Sequence, residues 1–319
     1  MGRYIYCMST SQAEPIVTSV EPSGASLPGV GFGRTDLLLL FTVTVWGINY
    51  SAVKYGSQMM TPLAFTWLRV LISAITLMIV AQARSAPWPP VRDVLGLLAL
   101  GVLGNGIYQT FFVLGVSRTR VADAALLGAA SPMVVALFSQ LRGMERGRVR
   151  TFLGIALSIA GVAVVVFGST AGADGHGTWL GVGLVMAAVI CWSVFTVLLR
   201  QYTLRVDPIQ LHAIGMVGGF LFLSCITPMV WPSIAGGLSK LSPTMWWVIA
   251  YSAWLSMVLV YLFWFRGVKL LGPTRTAIYS NLQPVVAILF AWAVLHEAPT
   301  VWQGVGAATI IAGIFLSRT

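Results

Sequence analysis

Charge is what this sequence lacks most. Only 9% of its 319 residues are Asp, Glu, Lys or Arg, against about 25% in a soluble globular domain. A surface so poor in charge does not face water. Cysteine is scarce too: Cys7, Cys191 and Cys225 have no metal-ligand spacing and build no disulfide framework. The three histidines, His176, His212 and His296, lie far apart. The motifs HExxH and GxSxG, a phosphate-binding Walker loop and paired intramembrane carboxylates are all missing, so the sequence offers no enzyme chemistry, no metal site and no cofactor site.

What is present is apolar. Hydrophobic residues make up 57% of the chain and mean hydropathy is +0.86. The apolar runs are continuous rather than alternating about every 10 residues, which favours helices over β-barrel strands. The expected fold is an all-α integral membrane protein. A net charge of +10 invites a nucleic-acid reading, but the cations sit singly at the ends of apolar runs and form no basic face, so no nucleic-acid partner is expected. Membrane lipids are the expected surroundings.

Residues 1–33 are rich in Ser, Pro and Gly and contain no apolar core run; they read as a flexible cytoplasmic tail rather than a cleaved signal. Ten segments then have spanning length, near 36–55, 62–83, 93–115, 119–141, 150–168, 178–200, 208–230, 244–267, 272–294 and 300–318. With the N-terminus inside, 14 Lys and Arg gather on the inner side and four on the outer (Lys54, Arg118, Arg120, Lys240), while Arg69 lies within a helix, which accounts for all 19. That asymmetry puts both termini in the cytoplasm.

The chain also repeats itself. Adding 152 carries Gly115 to Gly267, Val116 to Val268, Pro132 to Pro284, Glu145 to Glu297, Gly154 to Gly306 and Gly161 to Gly313. Upstream, adding 146 carries Trp46 to Trp192, Lys54 to Arg200 and Pro62 to Pro208. Each repeat holds five helices, residues 34–168 and 169–319. Five is odd, so the second copy enters the membrane from the opposite face. The expected architecture is ten transmembrane helices in two inverted five-helix repeats, a common plan of secondary transporters that rock about a site between the halves.

Both copies carry a helix ending Gly-Val, a polar turn, a helix with a central Ser131-Pro132 or Gln283-Pro284, then a Glu and a helix with two glycines seven apart. With Trp46-Gly47-Ile48-Asn49 and Leu68-Arg69, this resembles EamA-type transporters of the drug/metabolite transporter superfamily, over about residues 36–318. The resemblance implies the same ten-helix plan, a bacterial inner-membrane location and export of small metabolites, with amino-acid exporters, including the bacterial aromatic amino-acid exporter, among its members. The second copy departs from the pattern at two positions: Arg69 maps to Gly215 and Asn49 to Phe195. A site built on Arg69 and Asn49 is therefore asymmetric.

The candidate substrate contacts are polar and aromatic residues inside apolar helices, where they need partners or a watery cavity. Arg69 lies seven residues beyond Pro62, about 10 Å deep. It fits a donor for a substrate carboxylate, an outer gate, a structural partner of helix-end carbonyls or a snorkelling side chain. Trp46, Asn49, Tyr50 and Lys54 share a face of helix 1; Trp192 and Thr196 repeat part of it in helix 6, as a cavity wall or as interfacial anchors. Asn105, Tyr108 and Gln109 share a face of helix 3. Helix 8 adds Trp254, Ser256, Tyr261 and Trp264; helix 9 adds Tyr279, Ser280, Asn281 and Gln283; helix 4 adds Ser131. Pro132 and Pro284 free helix carbonyls for substrate or fix kinks with hinge use. Gly154, Ser158 and Gly161, with Gly306, Ile310 and Gly313, predict a close-packed seam, within the bundle or between protomers. Glu145 and Glu297 read as caps of the helix that follows each or as partners of a nearby cation, and His212 as a satisfied helix-end histidine or a group that titrates near neutral pH. The expected partner is a small-molecule substrate, an amino acid or similar metabolite; oligomeric state and coupling ion stay open.

Overall fold

The computed structural model describes residues 33–143, 149–170, 179–226 and 241–318. All regular structure among them is helical: α1 (Arg34–Met59), α2 (Pro62–Gln82), α3 (Val91–Ser117), α4 (Val121–Leu141), α5 (Val149–Thr170), α6 (Trp179–Thr203), α7 (Pro208–Ile226), α8 (Pro243–Leu271), α9 (Pro273–Leu295) and α10 (Val301–Arg318). Among the described residues, eight of these, all but α5 and α10, are long and apolar enough to cross a membrane. The chain is thus a multi-pass helical membrane protein.

Proline and short polar residues start the helices where the sequence places them. Pro62, Pro208, Pro243 and Pro273 begin α2, α7, α8 and α9, where a missing N–H is harmless. The Asp207 carboxylate accepts from the Ile209 and Gln210 amides at 3.0 and 3.3 Å, and Ser242 accepts from the Met245 amide at 3.2 Å; both are N-caps. Gly272, with φ +86°, turns α8 into α9.

Four helices are irregular, which the segment reading does not anticipate. α3 passes through a π-helical stretch at Val102–Ile107 and α8 through one at Tyr251–Leu259. α4 breaks at 129–130, just before Ser131-Pro132, and α9 narrows to a 3-10 turn at Ile278–Leu282, just before Gln283-Pro284. The prolines are therefore not mid-helix kinks. Each opens a fresh helical piece, because its ring and missing N–H cannot continue the turn before it.

Two apolar cores hold the helices. One, at the Arg34 end, joins Leu39, Leu77, Leu97, Leu199, Leu211, Trp264 and Phe265; the other, at the Lys54 end, joins Val53, Phe65, Phe112, Val121, Val182 and Met245. Backbone contact makes several crossings tight. A methyl added at Gly101 of α3 meets the Gly215 carbonyl of α7 at 2.0 Å, and one at Gly218 meets the Leu98 carbonyl at 2.2 Å. The glycine seam lies within the chain: a methyl at Gly161 of α5 meets the Ile310 amide of α10 at 2.8 Å, and one at Gly306 meets the Gly161 carbonyl at 3.0 Å.

The Lys54 end is closed by polar ties to backbone. The Lys54 ammonium donates to the carbonyls of Val116, Ser117 and Thr119 at 3.3, 3.3 and 2.6 Å, capping the C-terminus of α3. Arg120 donates to the Ala298 carbonyl at 2.6 Å, and Gln303 donates to the buried Asp123 carboxylate at 2.8 Å. Glu297 does not cap the helix that follows it, contrary to expectation. Its carboxylate accepts from the Val121 amide at the start of α4, at 2.9 Å, while Thr300 and Gln303 form the capping box of α10. Glu145 lies outside the described residues. Lys54→Met leaves three carbonyls without their charged donor and should lower stability by about 1.5–3 kcal/mol, read as an earlier thermal unfolding midpoint in detergent; an unchanged midpoint would show the cap to be idle.

Candidate functional site

A cavity of about 50 Å³ lies between the two cores, walled by α1, α2, α3, α4, α6, α8 and α9. Arg69 of α2 is its centre. The guanidinium is 0% exposed; one terminal nitrogen donates to Ser252 Oγ of α8 at 2.9 Å, the other to Gln109 Oε1 of α3 at 2.6 Å. Ser252 passes the bond on to Asn49 Oδ1 of α1 at 2.8 Å, and the Gln109 amide donates to the Tyr261 hydroxyl at 3.3 Å. This network ties α1, α2, α3 and α8 together. Every hydrogen-bond partner in it is neutral, and Arg69 Nε, itself buried, has no hydrogen-bond partner. Among the described residues, no Asp or Glu lines the cavity. Arg69 is thus neither snorkelling nor bound to helix-end carbonyls: its two bonds go to side chains at the cavity wall.

The irregular helices explain how the wall is held. A π turn shifts the carbonyl register by one residue and leaves oxygens for side chains. In α8, Ala253 O accepts from Ser73, Ser256 O from the Trp46 indole at 3.0 Å and Met257 O from His212 at 2.6 Å. Because a carbonyl only accepts, His212 carries its hydrogen on Nε2. His212, the fifth residue of α7, is buried and stacked 4.9 Å from Tyr261, so the helix-end histidine is satisfied by the Met257 carbonyl and packs behind the cavity wall. Trp46 meets Trp192 at 5.4 Å edge-on and Tyr261 at 5.5 Å, while Tyr108 lies 5.1 Å from Trp192; these rings floor the cavity towards the Arg34 end. The break in α4 serves the opposite wall, where a methyl on Gly128 would meet the Tyr50 hydroxyl at 2.5 Å. Ser131 and Gln283, at the first turns of the second pieces of α4 and α9, both line the cavity.

Of the residues singled out in the sequence, Trp46, Asn49, Tyr50, Arg69, Tyr108, Gln109, Ser131, Trp192, Ser256, Tyr261, Ser280 and Gln283 meet at this cavity. The others go elsewhere. Asn105 packs on Gly219 of α7 and lines a separate pocket of about 10 Å³ with His212. Thr196 is fully buried away from the cavity. Trp254 is 54% exposed and donates to Thr76 at 3.1 Å on the outer surface. Tyr279 bonds Asp36, and Asn281 and Pro284 line a pocket against α10. Pro132 is buried at the break in α4. Ser252 is the contact that sequence reasoning missed; its signal is a spacing of four from Ser256, on one face of α8.

A polar, cationic chamber in a bundle of membrane-crossing helices suits a membrane carrier. The chain belongs to the EamA-like transporter family, which it matches over residues 33–167 and 179–319. It is a transporter and not an enzyme. It is 27% identical over 285 residues to an uncharacterized transporter of Archaeoglobus fulgidus, covering 89% of this chain and 97% of the relative. It is 28% identical over 295 residues to the uncharacterized transporter YvbV of Bacillus subtilis, covering 90% and 92%. A probable terminal-alkyne amino-acid exporter of Streptantibioticus cattleyicolor is 24% identical over 279 residues, covering 87% and 91%. A solved crystal structure shares the fold at a TM-score of 0.64 and 20% identity, covering 88% of this chain and 95% of its own.

Proposed function

We propose that this protein is a secondary transporter that exports amino acids or related small carboxylates across the bacterial inner membrane by alternating access. The observation that carries the reading is Arg69: a fully buried cation, hydrogen-bonded only to neutral groups, at the wall of a cavity that contains no carboxylate. A buried charge needs a counter-charge, and a substrate carboxylate supplies it. Arg69 Nε and the Ser131 hydroxyl, both buried and without protein partners, are free to donate to it. The rings of Trp46, Tyr108, Trp192 and Tyr261 take the apolar side chain and offer faces to an ammonium group. A relative named as a probable amino-acid exporter agrees with this substrate class.

The inverted-repeat plan has support of its own. Adding 152 to the π stretch of α3 lands inside that of α8, and adding it to the break in α4 lands in the 3-10 turn of α9. Helix neighbours pair the same way: α3 packs on α6 as α8 does on α1, and α4 on α6 as α9 does on α1. The Arg34-end core takes the start of α1 but the end of α6, which suits opposite directions in the membrane. We therefore read ten crossings in two inverted halves, 34–168 and 169–319, with both termini on the cytoplasmic side where the cations collect, preceded by a tail at 1–33. At about 50 Å³ the cavity is far below the roughly 300–1,000 Å³ of a ligand-filled site, which supports reading it as a closed state that rocking of the halves opens.

Proteoliposomes loaded with labelled amino acids test the function. Efflux of amino acids with aromatic or apolar side chains is expected, competed by free amino acids and not by their methyl esters, nucleobases or sugars. Esters that compete as well as free acids, or no efflux across a broad amino-acid panel, would overturn the assignment.

A further inference from the structure

A second cavity, of about 440 Å³, opens on the side of the bundle between α1, the first turns of α8 and the end of α9. Its walls are Ile48 and Ala52, Trp247 and Val248, and Phe290 and Val294, and no charged residue lines it. All three helices are long and apolar enough to cross the membrane, and α9 is the least buried of the eight, with 28% of its apolar window covered by protein. Trp247 at the rim is 78% exposed and Val294 is 54% exposed. An apolar space of this kind excludes water, and what borders these helices in the bilayer is hydrocarbon.

We propose that this groove is a binding site for one acyl chain of a membrane phospholipid in the leaflet at the Lys54 end. The dimensions fit that occupant. From Ile48 near the middle of α1 to Tyr55 near its end is seven residues, about 10 Å at 1.5 Å per residue, most of one leaflet's half of a hydrocarbon core about 30 Å thick. Tyr55, Thr244 and Trp247 line it towards the end where α8 begins, the level at which amphipathic rings meet headgroups. The chain lies against the seam between α1 and α8. That seam is closed by the Tyr251 hydroxyl donating to the Val45 carbonyl at 2.7 Å and, one residue on, by Ser252 bonded to Asn49 at 2.8 Å. The lipid thus backs the wall that carries Arg69, while remaining outside the cavity itself. The site rests on the membrane-spanning character of the helices and not on any transported substrate.

The test is photolabelling in vesicles of phosphatidylethanolamine and phosphatidylglycerol containing a phosphatidylcholine whose acyl chain carries a diazirine, with adducts mapped by peptide mass spectrometry. Groove residues Ala52, Phe290 and Val294 should be labelled in excess of Ile75 and Ile79, which are exposed on α2 at 51% and 62%, more than the half-buried Ala52 and Phe290. Filling the groove from one wall with Ala52→Phe, and separately from the other with Val248→Trp, should abolish labelling of Phe290 and Val294 and leave Ile75 and Ile79 unchanged. Two variants on different helices guard against one that does not fold. Even labelling of groove and control residues, or groove labelling that survives both fillings, would leave only bulk lipid there and overturn the site. A disulfide-linked dimer formed through Ala52→Cys would seat a second copy in the groove and overturn it equally.

Discussion

Arg69→Met should abolish amino-acid efflux from proteoliposomes while leaving the protein folded. Truncating one partner of a buried charged contact costs about 2–5 kcal/mol of binding, which at 1.4 kcal/mol per tenfold is about 30-fold to a few thousand-fold in affinity for the carboxylate. Stability should move the other way or not at all. In the closed state Arg69 is a cation buried among neutral groups, and replacing a buried charge with a well-packed apolar side chain of similar length is often neutral or stabilising. Ser252 keeps Asn49 and Gln109 keeps Tyr261, so the wall retains half its bonds. Arg69→Lys should recover little of the loss, because a single ammonium cannot reach Ser252 and Gln109 together and still meet a carboxylate in the planar, forked geometry of a guanidinium. Efflux and thermal unfolding measured on the same preparations decide the matter. A Met variant that transports like the parent would remove Arg69 from the mechanism; a Met variant that unfolds would make its role structural.

Gly101→Val should prevent folding, and even Gly101→Ala should cost about 3 kcal/mol or more, the upper range for overpacking. The first added carbon falls 2.0 Å from the Gly215 carbonyl of the opposite helix, and what it meets is backbone, which cannot rotate away as a side chain would. α3 must then leave α7, with Gly218 against Leu98 and Gly219 against Asn105 in the same interface. Gly183→Ala provides the contrast. It also sits inside a helix, but nothing lies within 4 Å of its added methyl, so the change should stabilise by up to about 1 kcal/mol through helix propensity. Thermal unfolding of the three variants beside the parent reads both signs; equal effects at positions 101 and 183 would contradict the packing described here.

The Gly101 contact also explains one departure between the two halves. Arg69 in the first copy corresponds to Gly215 in the second. Gly215 presents its backbone to Gly101 where α3 and α7 touch, and a methyl on Gly215 itself would meet nothing closer than the Asn105 amide at 3.5 Å, whereas its counterpart carries the buried charge. One position of the repeat packs through its backbone and the other through a polar network. Asn49 and Phe195 divide in the same way: Asn49 joins the polar network, while Phe195 fills the space over Gly104, 2.2 Å from a methyl built there.

Composition and hydropathy alone determined that this chain is helical and lies in a membrane, because a surface with 9% charge has no other stable surroundings. Proline positions determined where helices begin, since a missing N–H is harmless only in the first turn. Spacing, depth within a helix and the paired proline motif also named twelve of the cavity residues, in helices 1 and 3 because i, i+3 and i+4 share a helix face whatever that face meets. Which faces meet was left to tertiary packing. Trp254 has the composition of a site residue and faces lipid, while Ser252, two residues earlier, faces Arg69; they lie on opposite faces of α8, within the π turn between Tyr251 and Leu259, and only packing decides which of those faces meets the site. His212, a residue of ordinary helix-end appearance, is buried because the same π turn offers it the Met257 carbonyl. The cavity's charge was likewise decided only in three dimensions, by bringing an arginine from α2 among neutral side chains of α1, α3 and α8 with no acid among the described lining residues.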